Sequence, residues 1–341
     1  MEQTLNFILE QAKKILDIDS PSGYTDKAIE YLENFCKDNN LSYEKNKKGN
    51  LIVTIPGKTN YVIGLSAHVD TLGAIVRSIN GDGTLRFSVI GGPLLPTLDG
   101  EYCKIYTRDN KVYTGTFLSN APSAHVHESA RSLTRDEKNM HIRIDAITKS
   151  KQDTLALGIE TGNFIAIDPK TTITQEGFIK SRFLDDKISV AILLGLINYI
   201  KQHNLEIIPT LKLIFSTYEE VGHGASHIPE VDELIAVDMG CIGEDLNCTE
   251  QDVSICVKDS SGPYDYKMVN KLIQLAKENN LNYAVDVYPF YGSDVSAALR
   301  GGNNIKGALI GPGVHASHGM ERTHIKAVEN TLKLLIAYIK E

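Results

Sequence analysis

The sequence predicts an α/β protein in which helices sandwich a mostly parallel sheet and a small β-rich domain interrupts it. Three observations predict this. Strand-like runs alternate with helical periods near both ends of the chain, the pattern of a parallel sheet with helices on its faces. Residues 72–174 instead hold short β-like pieces and turn signals with little helical period. The chain has 341 residues, more than a single core commonly serves, so a domain with an insertion is expected. The predicted division is a main domain from residues 1–71 and 175–341, with 72–174 inserted.

In chain order, residues 2–18 and 25–39 read as helices separated by the turn Asp19-Ser20-Pro21-Ser22-Gly23. Leu51 to Ile55, closed by Pro56-Gly57, and then Tyr61 to Ser66 are strand-like runs bounded by turns. In the insertion, Asn80-Gly81-Asp82-Gly83 reads as a hairpin turn rather than a phosphate loop. Lys187 to Lys201 is apolar nearly all round and predicts a buried helix. Strands follow at Leu211–Thr217, Leu234–Asp238 and Val253–Val257, then a helix at Tyr266–Asn279, a strand at Ile305–Ile310 and a closing helix at His324–Lys340.

Composition narrows the function. Apolar content of 42% and charged content of 23% are those of a soluble globular protein. A formal charge of −8 argues against nucleic acid and against an anionic membrane surface, both of which require clustered Lys and Arg. The start, Met1-Glu2-Gln3-Thr4-Leu5-Asn6-Phe7, reads as an amphipathic helix rather than an export signal, and Ile188 to Ile200 is too short to span a bilayer. Five cysteines at irregular spacing suit reduced thiols, so a cytoplasmic protein is expected.

Five segments carry the chemistry. Each sets a metal-binding or acid/base side chain against an apolar run: Ser66-Ala67-His68-Val69-Asp70, Phe183-Leu184-Asp185-Asp186-Lys187, Thr217-Tyr218-Glu219-Glu220-Val221-Gly222, Ala236-Val237-Asp238-Met239-Gly240 and His315-Ala316-Ser317-His318-Gly319. His68, the Glu219-Glu220 pair, Asp238 and His318 fall at or just after the carboxyl ends of predicted strands, and Asp185 at the start of the buried helix. Loops beyond those ends converge on one crevice in open α/β sheets. Imidazoles mixed with carboxylates favour zinc, cobalt or manganese over calcium. A two-metal site needs one bridging ligand plus two for each metal, and the five segments supply that number.

Each segment has a plainer reading. His68 and Asp70, two apart at a strand end, can face the same way. Asp70 then accepts the second ring N–H of a ligating His68, or the two form a core hydrogen bond. Asp185-Asp186 reads equally as a helix N-cap, and Asp238 as the start of a turn with Met239-Gly240. Two adjacent carboxylates after an apolar strand are harder to set aside, because they repel and resist burial. One of Glu219 and Glu220 can ligate while the other takes a proton, provided the strand breaks before Gly222. Among the late histidines, His318 is preferred as the ligand with His315 in reserve. His125 and His127 have no nearby acid to complete a site.

At these residues the chain resembles the cytosolic dinuclear aminopeptidases of the tetrahedral (TET) type, a family that includes glutamyl and deblocking aminopeptidases and proteins once labelled endoglucanase M. The likeness runs through Gly49-Asn50-Leu51, Ala67-His68-Val69-Asp70, Phe183-Leu184-Asp185-Asp186, Glu219-Glu220-Val221-Gly222, Asp238, Ser293-Asp294 and the late His. It implies a zinc-peptidase-like fold holding two divalent metal ions, zinc first and cobalt or manganese as alternatives. His68, Asp185 and Asp238 would hold one metal, and Asp185, Glu220 and His318 the other, with Asp185 bridging. Glu219 matches the general base and Asp70 the acid behind His68. The insertion would be a dimerisation domain, and the assembly a dimer-based homo-oligomer up to a dodecamer. The sequence departs from the family where Thr71-Leu72-Gly73 follows Asp70, where His223-Gly224-Ala225 shortens the segment after the acidic pair, and around His315–Glu321.

The expected function is removal of N-terminal residues from peptides, through a water bridging two metals, with Glu219 as base. The alternatives are an amidohydrolase or deacylase on the same centre and a non-catalytic peptide-binding subunit. A glycosidase is disfavoured, because sequence neighbours such as Glu219 and Glu220 cannot readily flank a sugar from opposite sides at about 5–9 Å.

Overall fold

A computed structural model describes all 341 residues, which divide into two compact units, Met1–Asp70 with Lys170–Glu341, and Thr71–Pro169. The second unit begins one residue before the predicted insertion and ends five residues before its predicted end. The strand pair Thr172–Ile173 and Phe178–Ser181 belongs to the first unit, where it joins Glu321–His324 in a small three-stranded antiparallel sheet.

The first unit is built on one large sheet. Its strands run in the order Ser42–Lys45, Leu51–Ile55, Thr210–Ser216, Val62–His68, Glu233–Val237, Lys306–Val314 and Val253–Asp259, with Tyr283–Val287 paired to the last. The four central strands, from Thr210–Ser216 to Lys306–Val314, are mutually parallel. Val253–Asp259 runs antiparallel to Lys306–Val314, and Leu51–Ile55 runs antiparallel to Thr210–Ser216, so outside the centre parallel pairing is limited to Tyr283–Val287 and the short Gly240–Cys241, which pairs with the end of Lys306–Val314. The centre is parallel for the usual reason: Val62–His68 is buried along nearly its whole length, which requires cover on both faces.

Helices supply a continuous packing layer, in which Leu184–Gln202 contacts both Glu2–Leu16 and Ile325–Ile339, and the last also contacts Tyr266–Glu278. Leu184–Gln202 is buried at every position from Leu184 to Ile197, as its apolar circumference predicts. It meets Glu2–Leu16 at Gly195, where a Cβ would lie 2.3 Å from Ile8 Cγ1, so a residue without a side chain sets the helix–helix distance. No helix is long and apolar enough to cross a membrane.

The second unit is a closed six-stranded barrel in the order Gly73–Ile79, Leu85–Ile90, Met140–Ile144, Val112–Ser119, Tyr102–Tyr106, Phe164–Ile167. Its core is filled by Leu85, Phe87, Ile105, Phe117, Ile142 and Ile165, with Phe87 and Phe117 edge to face at 5.0 Å between ring centres. Asn80–Gly83 closes the first hairpin of this barrel, where the Asn80 N–H donates to the Thr84 carbonyl.

Candidate metal centre

The parallel centre of the sheet decides where the candidate residues meet. His68 ends its strand opposite Ser216, the last residue of the neighbouring strand. Glu219 and Glu220 follow after Thr217 and Tyr218, and Asp238 follows Val237 on the strand at the other side of His68. The turn bearing His318 follows Val314 on the next parallel strand. All four segments leave the sheet at one edge because their strands share one direction.

Local structure then aims the side chains. The strand carrying Thr210–Ser216 stops, and Glu219–Val221 forms one 3-10 turn closed by Gly222 at φ 83°. On that turn both carboxylates face the site, whereas strand neighbours would diverge. Asp70 fixes the turn: its Oδ1 accepts the Glu219 N–H at 3.1 Å and its Oδ2 the Glu220 N–H at 3.2 Å, while the Ser22 hydroxyl donates to Oδ2. The His68 ring Nδ1 lies 2.9 Å from the backbone carbonyl of Asp70 and 3.6 Å from its carboxylate. The group that orients the His68 tautomer is therefore the Asp70 main chain, and the side chain serves the acidic pair instead.

Asp185 and Asp186 precede the regular part of the buried helix. Both have non-helical backbone angles, and neither caps the helix with its side chain. Asp185 lies between the two histidines: Oδ1 is 3.1 Å from His68 Nε2 and Oδ2 is 3.4 Å from His318 Nε2. Glu219 Oε2 lies 3.6 Å from His68 Nε2, and Glu220 Oε2 lies 3.7 Å from His318 Nε2. Asp238 Oδ1 accepts the Met239 N–H at 2.6 Å. His315 is exposed and pairs through its main chain with Arg322, so His318 is the late histidine that reaches the cluster. His125 and His127 lie in the barrel unit, outside the unit that holds the cluster.

Several contributors had no role assigned from the sequence. Asp186 Oδ2 accepts the His68 N–H at 3.2 Å. Glu321 accepts two backbone N–H groups, from Asp185 at 3.0 Å and from His318 at 2.9 Å. Asp294 accepts the Ser216 hydroxyl at 2.7 Å. Tyr291 also lines the cavity. Glu321 could have been suspected from its place three residues after His318. The Asp185-Asp186 pair marked Asp186 without separating its role from that of Asp185, and nothing in the spacing marks Tyr291.

The electrostatics are those of a site that is short of positive charge. Burial pushes Glu219 and Glu220 well above the usual carboxylate range. Burial, reinforced by Asp185, raises Asp238 to about 7 and Glu321 to about 8. Burial, reinforced by Asp238, also raises Asp186. Burial alone would raise Asp185, but its contacts with His318 and His68 outweigh it and hold this group low. Burial opposes the charged form of His68; the Asp185 hydrogen bond and the Glu219 charge overcome it and raise His68 well above an ordinary imidazole. A bound cation relieves such crowding by favouring every ionised carboxylate at once.

The donor set fits divalent metal. Glu220 Oε1 and Asp186 Oδ1 are buried without a hydrogen-bond partner, the condition expected of oxygens that ligate a cation. His68, Asp185 and Glu220 offer one donor atom each within 4.8 Å of one another, and so do His68, Asp186 and Asp238. Nitrogen and carboxylate oxygen together suit zinc, cobalt or manganese. The cluster opens on a cavity of about 250 Å³ bounded also by Phe290, Tyr291, Gly292 and Arg300. Arg300, the only Arg or Lys in that lining, donates to the Ser261 hydroxyl at 3.1 Å.

Comparison with known proteins identifies the family. The family model for M42 glutamyl aminopeptidase matches residues 49–334. A Bacillus subtilis (strain 168) protein named as an aminopeptidase, YhfE, is 46% identical over 97% of both chains. The lysyl aminopeptidase of Pyrococcus furiosus is 23% identical over 97% of this chain and 96% of its own. Among solved structures, the Pyrococcus horikoshii TET1 peptidase superposes with a TM-score of 0.85 at 24% identity, covering 98% of this chain and 99% of that one. The chain belongs to the M42 glutamyl aminopeptidase family and is a peptide hydrolase.

Proposed function

We propose that this protein releases N-terminal residues from peptides at a centre for two divalent cations, with Glu219 as the general base. The observation that carries the proposal is Asp185, whose two oxygens face two different histidines, His68 and His318, at 3.1 and 3.4 Å. A carboxylate so placed suits a bridging ligand. His68 and Asp238 would complete one side, and Glu220 and His318 the other. Asp186 stands beside the first group, within donor range of His68 and Asp238. Two bound cations would polarise the scissile carbonyl and acidify the attacking water.

The remaining work falls to the protein. Glu219, on the turn that faces the cluster with Oε2 3.6 Å from His68 Nε2, is placed to take a proton from water and pass it to the leaving amine as the C–N bond breaks. Asp70 holds Glu219 in place through the backbone of the same turn. The cavity of about 250 Å³ admits a side chain and the next residue rather than a folded segment. Within it, Arg300 offers a counter-charge to an anionic group on the substrate.

We further infer that the chain works as a homo-oligomer built from dimers, with Thr71–Pro169 as the dimerising unit. Support comes from the P. horikoshii TET1 peptidase, which can assemble into a tetrahedron or a large octahedral shell. Five cysteines, all free, suit a reducing cytoplasmic setting.

A panel of aminoacyl and N-acyl amides, each run with zinc, cobalt and manganese, tests the reading. Cleavage confined to N-acyl substrates would replace it with the deacylase alternative. Glu219→Gln keeps the shape of the site and removes its proton acceptor. Its expected result is wild-type cation binding with turnover lower by about 10²–10⁴-fold. Near-wild-type turnover in that variant would remove Glu219 from the role of base.

A further inference from the structure

The two oxygens of Glu321 each accept one backbone N–H, and the two donors are Asp185 and His318. These residues arrive on different stretches of chain. Asp185 follows Phe178–Ser181, and His318 lies in the turn that precedes Glu321–His324; the two strands pair, with Ser181 opposite Glu321. Glu321 is 2% exposed, so its carboxylate is fixed by these bonds and not by solvent. A second tie joins the same two stretches, because Arg182 donates from Nη1 to the Gly319 carbonyl at 3.2 Å.

The turn needs such a tie. Ala316 and His318 both have left-handed backbone angles, with φ of 60° and 62°. Residues other than glycine adopt this conformation at a cost and keep it where their surroundings over-determine it. The N–H held by Glu321 belongs to His318 itself, so the bond fixes the strained residue at the point from which its imidazole projects.

We propose that Glu321 is a positioning residue that sets the spacing of Asp185 and His318, and thereby shapes one of the two cation positions more than the other. This rests on the two-cation reading above. Asp238 and His68 donate no hydrogen bond to Glu321, so the position they share with Asp185 depends on it less than the position shared by Asp185, Glu220 and His318. Glu321 does not itself touch substrate.

Glu321→Gln tests this with little change in volume. The amide oxygen can still accept one N–H, but the amide nitrogen brings a donor to the other, and one of the two bonds is lost. Calorimetric titration of cation-free protein with zinc is the readout, in parallel with thermal denaturation of the same samples. Wild type is expected to bind two equivalents. In the variant, one equivalent should weaken by about 10- to 100-fold, the usual consequence of losing a group that orients ligands, while the other stays within a few-fold of wild type.

Glu321→Asp retains the charge but withdraws it by one methylene, and should weaken the same single equivalent. It also serves if the Gln variant folds poorly. Unchanged binding of both equivalents in folded variants, or equal weakening of both, would overturn the positioning role. Fewer than two equivalents on wild-type protein would overturn the two-cation reading itself, and the proposal with it.

Discussion

Asp70→Asn is the sharpest test of how the acidic turn is held. The Asp70 carboxylate is fully buried and accepts three hydrogen bonds, from the Glu219 and Glu220 N–H groups and the Ser22 hydroxyl. Asparagine keeps the volume but replaces one accepting oxygen with a donor. Whichever way the amide turns, one backbone N–H of the Glu219-Glu220 turn faces another N–H. A hydrogen bond to a charged group contributes about 1.5–3 kcal/mol, so a loss of that order is expected for one such bond. For a unit of this size it corresponds to a fall in Tm of roughly 3–12 °C. The displaced turn carries both the proposed base and a proposed ligand. Turnover should therefore fall by at least about tenfold, with zinc affinity falling too. Calorimetry, zinc titration and aminopeptidase assay on one preparation decide the matter. If Tm, zinc affinity and kcat all match wild type, the carboxylate does not hold the turn. If zinc binding and turnover survive while only Tm drops, Asp70 is a stability residue and its link to the base is refuted.

Two further outcomes follow from the same geometry. At Gly311 a Cβ would lie 1.6 Å from the Asp238 carbonyl oxygen, so Gly311→Ala must displace the strand or Asp238. Overpacking of this kind costs about 1–3 kcal/mol, and loss of activity larger than the Tm shift implies is expected; a fully active, equally stable variant would show that the strand adjusts freely. In chelator-treated protein, Asp238 at about 7, Glu321 at about 8 and Asp294 at about 6 keep protons that the unfolded chain releases near pH 4. The native state then binds more protons than the unfolded one, so stability present at about pH 4 is lost as pH rises through 6–8. Tm measured without metal should decline over that range, and zinc should restore it most at the upper end. A flat or rising Tm in the cation-free protein would contradict the crowded-carboxylate account.

Much of this molecule was readable before any coordinates. The all-round apolar run after Asp186 specified a buried helix, because a helix with no polar face must be covered on every side. The change to a β-rich texture after residue 72 was legible because a local change of period needs no knowledge of partners. Glu219-Glu220 signalled a site by its physical awkwardness, since paired acids after an apolar strand have few comfortable structural roles.

What the sequence by itself determined was therefore the element types, the inserted unit and the set of acids and histidines from which a site could be drawn. Only the tertiary structure decided which of them meet. Strand direction is set by pairing between residues up to 170 positions apart, so the shared edge on which His68, Glu219, Asp238 and His318 converge exists only once the sheet is assembled. The choice of His318 over His315 depended on a turn with two left-handed residues and one buried acid beneath it. The Asp70 carboxylate serves the Glu219-Glu220 backbone rather than His68 for a similar reason: it accepts from whichever donors the fold places nearest, and those lie on a turn 149 positions away.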